Sequence, residues 1–115
     1  MSDPYEALFQ LSKVFYDNAA AKGWHDPDLT ATFAERIALI HSEASEALEE
    51  YRNGKHYTET YYVNGKPEGI PSELADIIIR VLDTCYEHGI DIGAAVQEKH
   101  EFNTTRSHRH GGKVI

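Results

Sequence analysis

Apolar residues recur at steps of three and four along four separate segments of the chain, and this spacing limits its possible folds more than any other feature. Residues at that spacing lie on one side of an α-helix, so each segment predicts an amphipathic helix. Ser, Asp or Pro residues suited to helix starts and glycines suited to helix ends bound most of the segments. The predicted helices cover residues 2–23, 29–53, 70–89 and 91–106. The sequence therefore predicts an all-α fold.

Residues 54–69, between the second and third helices, break the helical pattern and are rich in Thr, Tyr and Val. The stretch "VNGK" is a turn signal, because Asn-Gly accepts the positive φ angles of a tight hairpin turn. We expect a loop that includes a short hairpin. The next segment contains the run Ile77–Ile79, which suits a strand, but helix signals bound a pattern too long for a strand, so a helix is favoured.

Length and charge exclude several classes of protein. The 115 residues predict one domain, 1–115, with an irregular tail at about 107–115. Nineteen acidic residues against eleven basic ones argue against a nucleic-acid polymer as partner, since such proteins need a basic surface. The chain has no apolar run of membrane-spanning length and no signal-peptide pattern at its start, so we expect no membrane association. Its single cysteine, Cys85, fits a reducing compartment, so we expect a cytoplasmic protein.

The second and third helices each contain a pair of carboxylates. The pairs are Glu43 with Glu46 in "HSEASEALEE" and Glu73 with Asp76 in "ELAD". A spacing of three puts both members of a pair on one side of the helix, one turn apart. Antiparallel packing of the two helices would therefore bring four carboxylates together. Each strip borders the apolar stripe of its helix, where a carboxylate is partly desolvated and unfavourable without a cation.

A single E-x-x-E pair is common on solvated helices and has little weight. Two such pairs on adjacent helices, both short of basic partners, favour a metal site. Oxygen ligands suit hard divalent cations such as Mg²⁺ or Mn²⁺, and carboxylates on facing helices form metal centres in helical bundles. A di-iron centre would need Glu-x-x-His pairs, which neither helix offers here.

With "HSEASEALEE" and "ELADIIIRVLD" together, the chain resembles the MazG-like, all-α nucleoside triphosphate pyrophosphohydrolases of the single-domain bacterial and phage type. Their signature is E-E-x-x-E, a variable spacer, then E-x-x-D, and Ser42 stands where the first glutamate would be. The resemblance spans about residues 33–113 and includes "GIDIGAAVQEKHEFNTTRSHRHGGK". It implies a four-helix bundle completed by oligomerisation, as a homodimer or homotetramer.

The resemblance also implies the activity. A nucleoside or deoxynucleoside triphosphate and water would give the monophosphate and pyrophosphate, in housekeeping of the nucleotide pool. Mg²⁺, with Mn²⁺ as the alternative, would be bound by Glu43, Glu46, Glu73 and Asp76. Glu43 and Glu46 would also act in catalysis, because one glutamate positions the attacking water.

Basic residues near the end of the chain are the candidates for substrate binding. Lys99, Asn103 and Arg106 share one face of the fourth helix. They fit a solvated helix end, where cations suit the helix dipole, but the resemblance implies that they contact nucleotide. In "GWHD", Trp24 could stack on the base and His25 could hydrogen-bond to it. The pattern fits equally well a tryptophan that only covers the hydrophobic core.

The third helix is apolar on most of its circumference, which favours a partner subunit that completes the core. Its apolar residues are Leu74, Ile77, Ile78, Val81, Leu82 and Cys85. Two alternatives to the enzyme remain open: a catalytically silent nucleotide-binding module and a helical oligomerisation module.

Overall fold

A computed structural model describes residues 3–106 as four α-helices and one short β-hairpin. In chain order the elements are α1 (Pro4–Ala21), α2 (Phe33–Arg52), β1 (Tyr61–Val63), β2 (Lys66–Glu68), α3 (Ile70–Glu87) and α4 (Ile92–Thr104). The predicted mostly helical fold is confirmed for these residues. The predicted irregular tail lies outside the part of the chain that the structure describes. Within residues 3–106 no helix has both the length and the apolar character needed to cross a bilayer.

Side-chain caps decide where α1 and α2 begin. The Asp3 carboxylate accepts a hydrogen bond from the Tyr5 backbone N–H at 2.9 Å, directly before the first helical residue. Thr32 and Glu35 form a reciprocal capping box, in which each side chain accepts a hydrogen bond from the other's backbone N–H. This box starts α2 at Phe33, four residues after the predicted start at Leu29.

The hairpin predicted from "VNGK" is present. Asn64 and Gly65 both have positive φ angles, 52° and 81°, as a tight hairpin turn requires. The strands pair antiparallel, with Tyr61 opposite Glu68. Gly69 joins β2 to α3 with φ at 112°, and a Cβ there would lie 2.5 Å from the backbone oxygen of Glu59. Only glycine fits this junction, which fixes Glu68 directly before the first turn of α3.

Helices α2 and α3 pack antiparallel, since Arg36 near the start of α2 contacts Glu87 at the end of α3. Helix α1 covers the C-terminal half of α3 through aromatic contacts to Tyr86. Helix α4 lies against α1, where a Cβ on Gly93 would come within 2.1 Å of the Tyr5 backbone oxygen. In the described residues α2 packs against α3 and does not contact α1 or α4.

The apolar stripe of α2 is exposed, contrary to the expectation that it faces a core. Leu48 is 59% exposed and Tyr51 is 61% exposed. On α3, Leu74 and Ile78 are also about half exposed, while Leu82 on the same side of the helix is buried. The side of α2 that faces α3 includes Arg36 and Glu43, which bond to Glu87 and Arg80 of α3.

Candidate metal centre

Three of the four predicted metal ligands meet between α2 and α3. Carboxylate oxygens of Glu43, Glu73 and Asp76 all lie within 4.8 Å of one another. The fourth, Glu46, shares with Glu73 the wall of an open pocket of about 210 Å³. Glu43 and Glu73 are buried, whereas Glu46 is exposed. The antiparallel packing of the two helices thus brings the four predicted acids to one region, as the spacing of the two pairs predicted.

Two carboxylate oxygens at this centre are buried without a partner. Glu43 is 6% exposed and Glu73 is 8% exposed, and the Oε2 atom of each has no hydrogen-bond partner in the described residues. A buried carboxylate oxygen in that state is unfavourable unless a proton or a cation compensates it. The donor set consists of carboxylate oxygens alone, which fits Mg²⁺ or Mn²⁺ better than softer metals.

Arg80 is a basic partner that the sequence analysis did not assign. Its Nε donates a hydrogen bond to Glu43 Oε1 at 2.8 Å. The expectation that both acidic pairs lack a basic partner is therefore wrong for Glu43. Arg80 lies one turn after Asp76 on the same strip of α3, and that position was the signal available in the sequence.

The carboxyl groups differ in their pKa values because their surroundings differ. Burial, together with the adjacent carboxyls of Glu46 and Glu43, raises the pKa of Glu73 to about 8. Burial also raises the pKa of Asp76, and the charge of Glu43 adds to this shift. For Glu43, burial raises the pKa, but the hydrogen bonds with the Arg80 guanidinium and the Glu73 carboxyl outweigh it and hold the pKa below the ordinary value. At neutral pH and without a metal, Glu73 therefore retains a proton that a cation would displace.

A second acidic group adjoins the first. Oxygens of Glu50, Glu68 and Glu73 also lie within 4.8 Å of one another. The Tyr61 hydroxyl donates a hydrogen bond to Glu50 Oε1 at 2.8 Å, and Lys66 Nζ lies 3.2 Å from Glu68 Oε1. Glu50, to which the sequence analysis gave no role, lies half-buried beside Glu73. Glu68 was missed because no spacing rule relates a hairpin residue to a helix.

The two residues proposed for base binding have different surroundings. Trp24 is 67% exposed. The His25 side chain is only 4% exposed, and its Nε2 lies 2.7 Å from Asp83 Oδ1 while its Nδ1 contacts Glu87. Its ring stacks on Tyr16 with the centroids 4.5 Å apart. Both ring nitrogens of His25 thus contact carboxylates of the same chain, and neither is available to a ligand in this arrangement. Base recognition by His25 stays a prediction.

Lys99, Asn103 and Arg106 are all exposed on α4. The Lys99 ammonium and the Arg106 guanidinium both lie 5.8 Å from the ring centroid of Phe102. Because α4 contacts α1 and α3 but not α2, no contact joins this basic face to Glu43 or Glu46 within the described chain. Their role in substrate binding therefore remains a prediction.

The chain was compared with protein-family models, with curated proteins and with solved structures. None of the three comparisons gave a match. The MazG-like resemblance therefore remains a prediction that depends on the motifs themselves.

Proposed function

We propose that this chain is a Mg²⁺-dependent nucleoside triphosphate pyrophosphohydrolase, with Mn²⁺ as the alternative metal. One observation supports the proposal above all: Glu43 and Glu73 are buried within one acidic cluster, and the Oε2 atom of each has no hydrogen-bond partner in residues 3–106. A chain that only needed a soluble surface would expose these groups to water. Their burial is understandable if a divalent cation completes the site.

Glu43, Glu46, Glu73 and Asp76 would hold the metal ion. A bound Mg²⁺ would neutralise phosphate charge and polarise the phosphoryl oxygens. Arg80 keeps Glu43 ionised and oriented through its 2.8 Å hydrogen bond, so that the second oxygen of Glu43 is directed to the same cluster. The two helix backbones fix these side chains, which favours a preformed site over one on a mobile loop.

Glu46 is the best candidate for the group that orients the attacking water. It is exposed and lines the open pocket, whereas Glu43 and Glu73 are buried. A general base must reach both the water and the metal-bound phosphate, and Glu46 is the one exposed glutamate among the three. Glu43, which is buried, would be the second catalytic glutamate. The products would be a nucleoside monophosphate and pyrophosphate, and the proposed setting is housekeeping of a cytoplasmic nucleotide pool.

The proposed enzyme is a homo-oligomer, a dimer or a tetramer. Residues of α2 and α3 that would form a core in a larger bundle are about half exposed. They are Phe33, Leu48, Tyr51, Leu74 and Ile78. A second copy packed on this side would bury them and gain roughly 25 cal/mol for each Å² of apolar surface removed from water. Within the described chain, α4 does not contact α2, which contains Glu43 and Glu46. A partner subunit could instead bring the basic face of its own α4 towards these carboxylates.

The exposed apolar stripe also favours a second candidate, a helical oligomerisation module without turnover. A nucleotide-binding module that has lost its activity is the third. The three differ in what they require of the acids: the enzyme needs all of them with Mg²⁺, the binding module needs them only for affinity, and the oligomerisation module does not need them.

A panel of canonical and modified triphosphates with pyrophosphate release as the readout tests the enzyme. We expect release with Mg²⁺ and none with EDTA. Glu46→Gln and Asp76→Asn should each abolish release while circular dichroism shows unchanged helical content. Glu98→Gln, an exposed change of the same kind on α4, is the control and should retain the wild-type rate. Wild-type rates in the folded Glu46 and Asp76 variants would refute the assignment.

A further inference from the structure

We propose that the acidic region binds a second divalent cation, held by Glu50, Glu68 and Glu73, with Glu73 as the carboxylate that bridges the two cations. The proposal rests on the proposed function for its first metal site, formed around Glu43 and Asp76. It assigns a ligand role to two glutamates, Glu50 and Glu68, that lie outside both acidic pairs of the sequence.

Three different elements supply the ligands of this second subsite. Glu50 is in the last turns of α2, Glu68 ends strand β2 and Glu73 is in the first turn of α3. Their carboxylate oxygens lie within 4.8 Å of one another. Like charges so close repel one another, and the single cation at this group, Lys66 beside Glu68, offsets only part of that repulsion within the described residues. The backbone enforces this arrangement instead, through the hairpin register and the close approach at Gly69.

Glu73 provides the independent sign of a ligand. It is 8% exposed, it belongs to both acidic groups, and its Oε2 has no hydrogen-bond partner in the described residues. A cation bound at Glu43 and Asp76 needs one oxygen of Glu73. A carboxylate has two oxygens, so Glu73 can serve a cation on each side.

The charges of the region favour two divalent cations over one. Among residues 3–106, its six carboxylates form ion pairs with two cationic side chains, Arg80 beside Glu43 and Lys66 beside Glu68. The six are Glu43, Glu46, Glu50, Glu68, Glu73 and Asp76. If all six are ionised, four negative charges remain, which two divalent cations neutralise and one does not. A triphosphate adds further negative charge, which a second cation would help to neutralise.

The surroundings of Glu50 fit a ligand held in place by a neighbour. The Tyr61 hydroxyl donates to Glu50 Oε1, which orients the carboxylate and leaves Oε2 directed elsewhere. The ligands are all oxygens, which selects hard cations such as Mg²⁺ and Mn²⁺. Paired cations that share a carboxylate typically lie about 3.5–4 Å apart, and they bind substrates with adjacent phosphate oxygens.

Titration with Mn²⁺, read by electron paramagnetic resonance, tests the proposal without any assay of turnover. We expect the wild-type chain to bind about two Mn²⁺ ions and to show a spin-coupled spectrum, as neighbouring metals do. Glu68→Gln should reduce the stoichiometry to about one ion and give the spectrum of isolated Mn²⁺. Glu50→Gln, whose amide oxygen can still accept from Tyr61, should do the same and provides a second variant if Glu68→Gln does not fold.

Glu49→Gln is the matched control, because it removes the same charge from the neighbouring pocket wall but lies outside the ligand group. It should keep both ions. A wild-type chain that binds only one Mn²⁺ at saturation, or a folded Glu68→Gln variant that keeps two coupled ions, overturns the proposal. Two coupled ions without pyrophosphate release from any triphosphate would instead support the second subsite and refute the proposed hydrolase.

Discussion

His25 and Asp83 form a part-buried pair between the α1–α2 loop and α3, with His25 Nε2 2.7 Å from Asp83 Oδ1. Glu87 contacts the other ring nitrogen, and Arg36 Nε donates to Glu87 at 3.1 Å. The His25 side chain is only 4% exposed, so the contacts of both its ring nitrogens lie within the chain. This network connects the loop, α2 and α3 in a chain whose apolar core is small.

Removal of the imidazole should therefore destabilise the fold. We expect His25→Ala to lower the free energy of unfolding by about 3 kcal/mol, because it leaves the part-buried Asp83 carboxylate without its imidazole partner. Urea unfolding measures the change. His41→Ala, at an exposed position on α2, is the control and should stay within about 0.5 kcal/mol of wild type. Equal unfolding midpoints for the two variants would contradict a stabilising role for the network.

Glu73→Gln should stabilise the metal-free protein and remove its response to Mg²⁺. The amide cannot ionise, and it can donate a hydrogen bond to Glu43, whose Oε2 lacks a partner. We expect a gain of about 1–3 kcal/mol in the absence of metal. Thermal melts with EDTA and with Mg²⁺ measure both effects, and wild type should show the clear upward shift that ligand binding produces. A Mg²⁺ shift of wild-type size in the variant would exclude Glu73 as a ligand.

The stability of the metal-free protein should fall as pH rises. The pKa of Glu73 is raised from 4.5 to about 8, so the folded chain holds a proton that the unfolded chain has released. The resulting stabilisation is full below about pH 4.5, decreases as pH rises, and is lost above about pH 8. Melting temperatures in EDTA between about pH 6 and pH 9 should fall more steeply for wild type than for Glu73→Gln. Parallel curves would show that Glu73 does not hold this proton.

Lys99 and the acids should have separable effects on the proposed reaction. Lys99→Ala should reduce kcat/KM about ten- to hundredfold, since a charge-assisted hydrogen bond is worth roughly 1.5–3 kcal/mol. Calorimetry should show unchanged Mg²⁺ affinity, because an ammonium group is not a ligand, whereas Glu43→Ala should lose Mg²⁺ affinity first. His100→Ala, the adjacent exposed residue on α4, is the control. Unchanged kinetics in Lys99→Ala would mean that the basic face of α4 is only solvated and does not bind substrate.

The exposed side of α2 and α3 should be a subunit interface. Light scattering should give a mass that is a multiple of 13.0 kDa. Leu48→Glu and Ile78→Glu should each lower that mass towards a single chain, because a charge at an apolar interface is strongly unfavourable. Leu29→Glu makes the same change at an apolar loop residue that is 80% exposed, and it should leave the mass unchanged. A wild-type mass near 13.0 kDa would refute the oligomer.

The sequence by itself determined the helices, the hairpin and the meeting of three of the four predicted acids, Glu43, Glu73 and Asp76. These features are local or periodic: a capping residue, an Asn-Gly turn and a spacing of three act within a few residues, so they can be read along the chain. Glu43 and Asp76 met as predicted because the only further requirement was that α2 and α3 pack antiparallel.

The tertiary structure alone decided which faces pack together and which distant side chains pair. Periodicity identifies two faces of α2 but does not state which of them meets α3, so the exposure of Leu48 was not predictable. The pairs His25–Asp83 and Arg80–Glu43 join residues 58 and 37 positions apart. Glu68 reaches Glu73 because a hairpin and a glycine turn the chain back on itself. Such contacts depend on the relative placement of whole elements, which no local pattern of residues specifies.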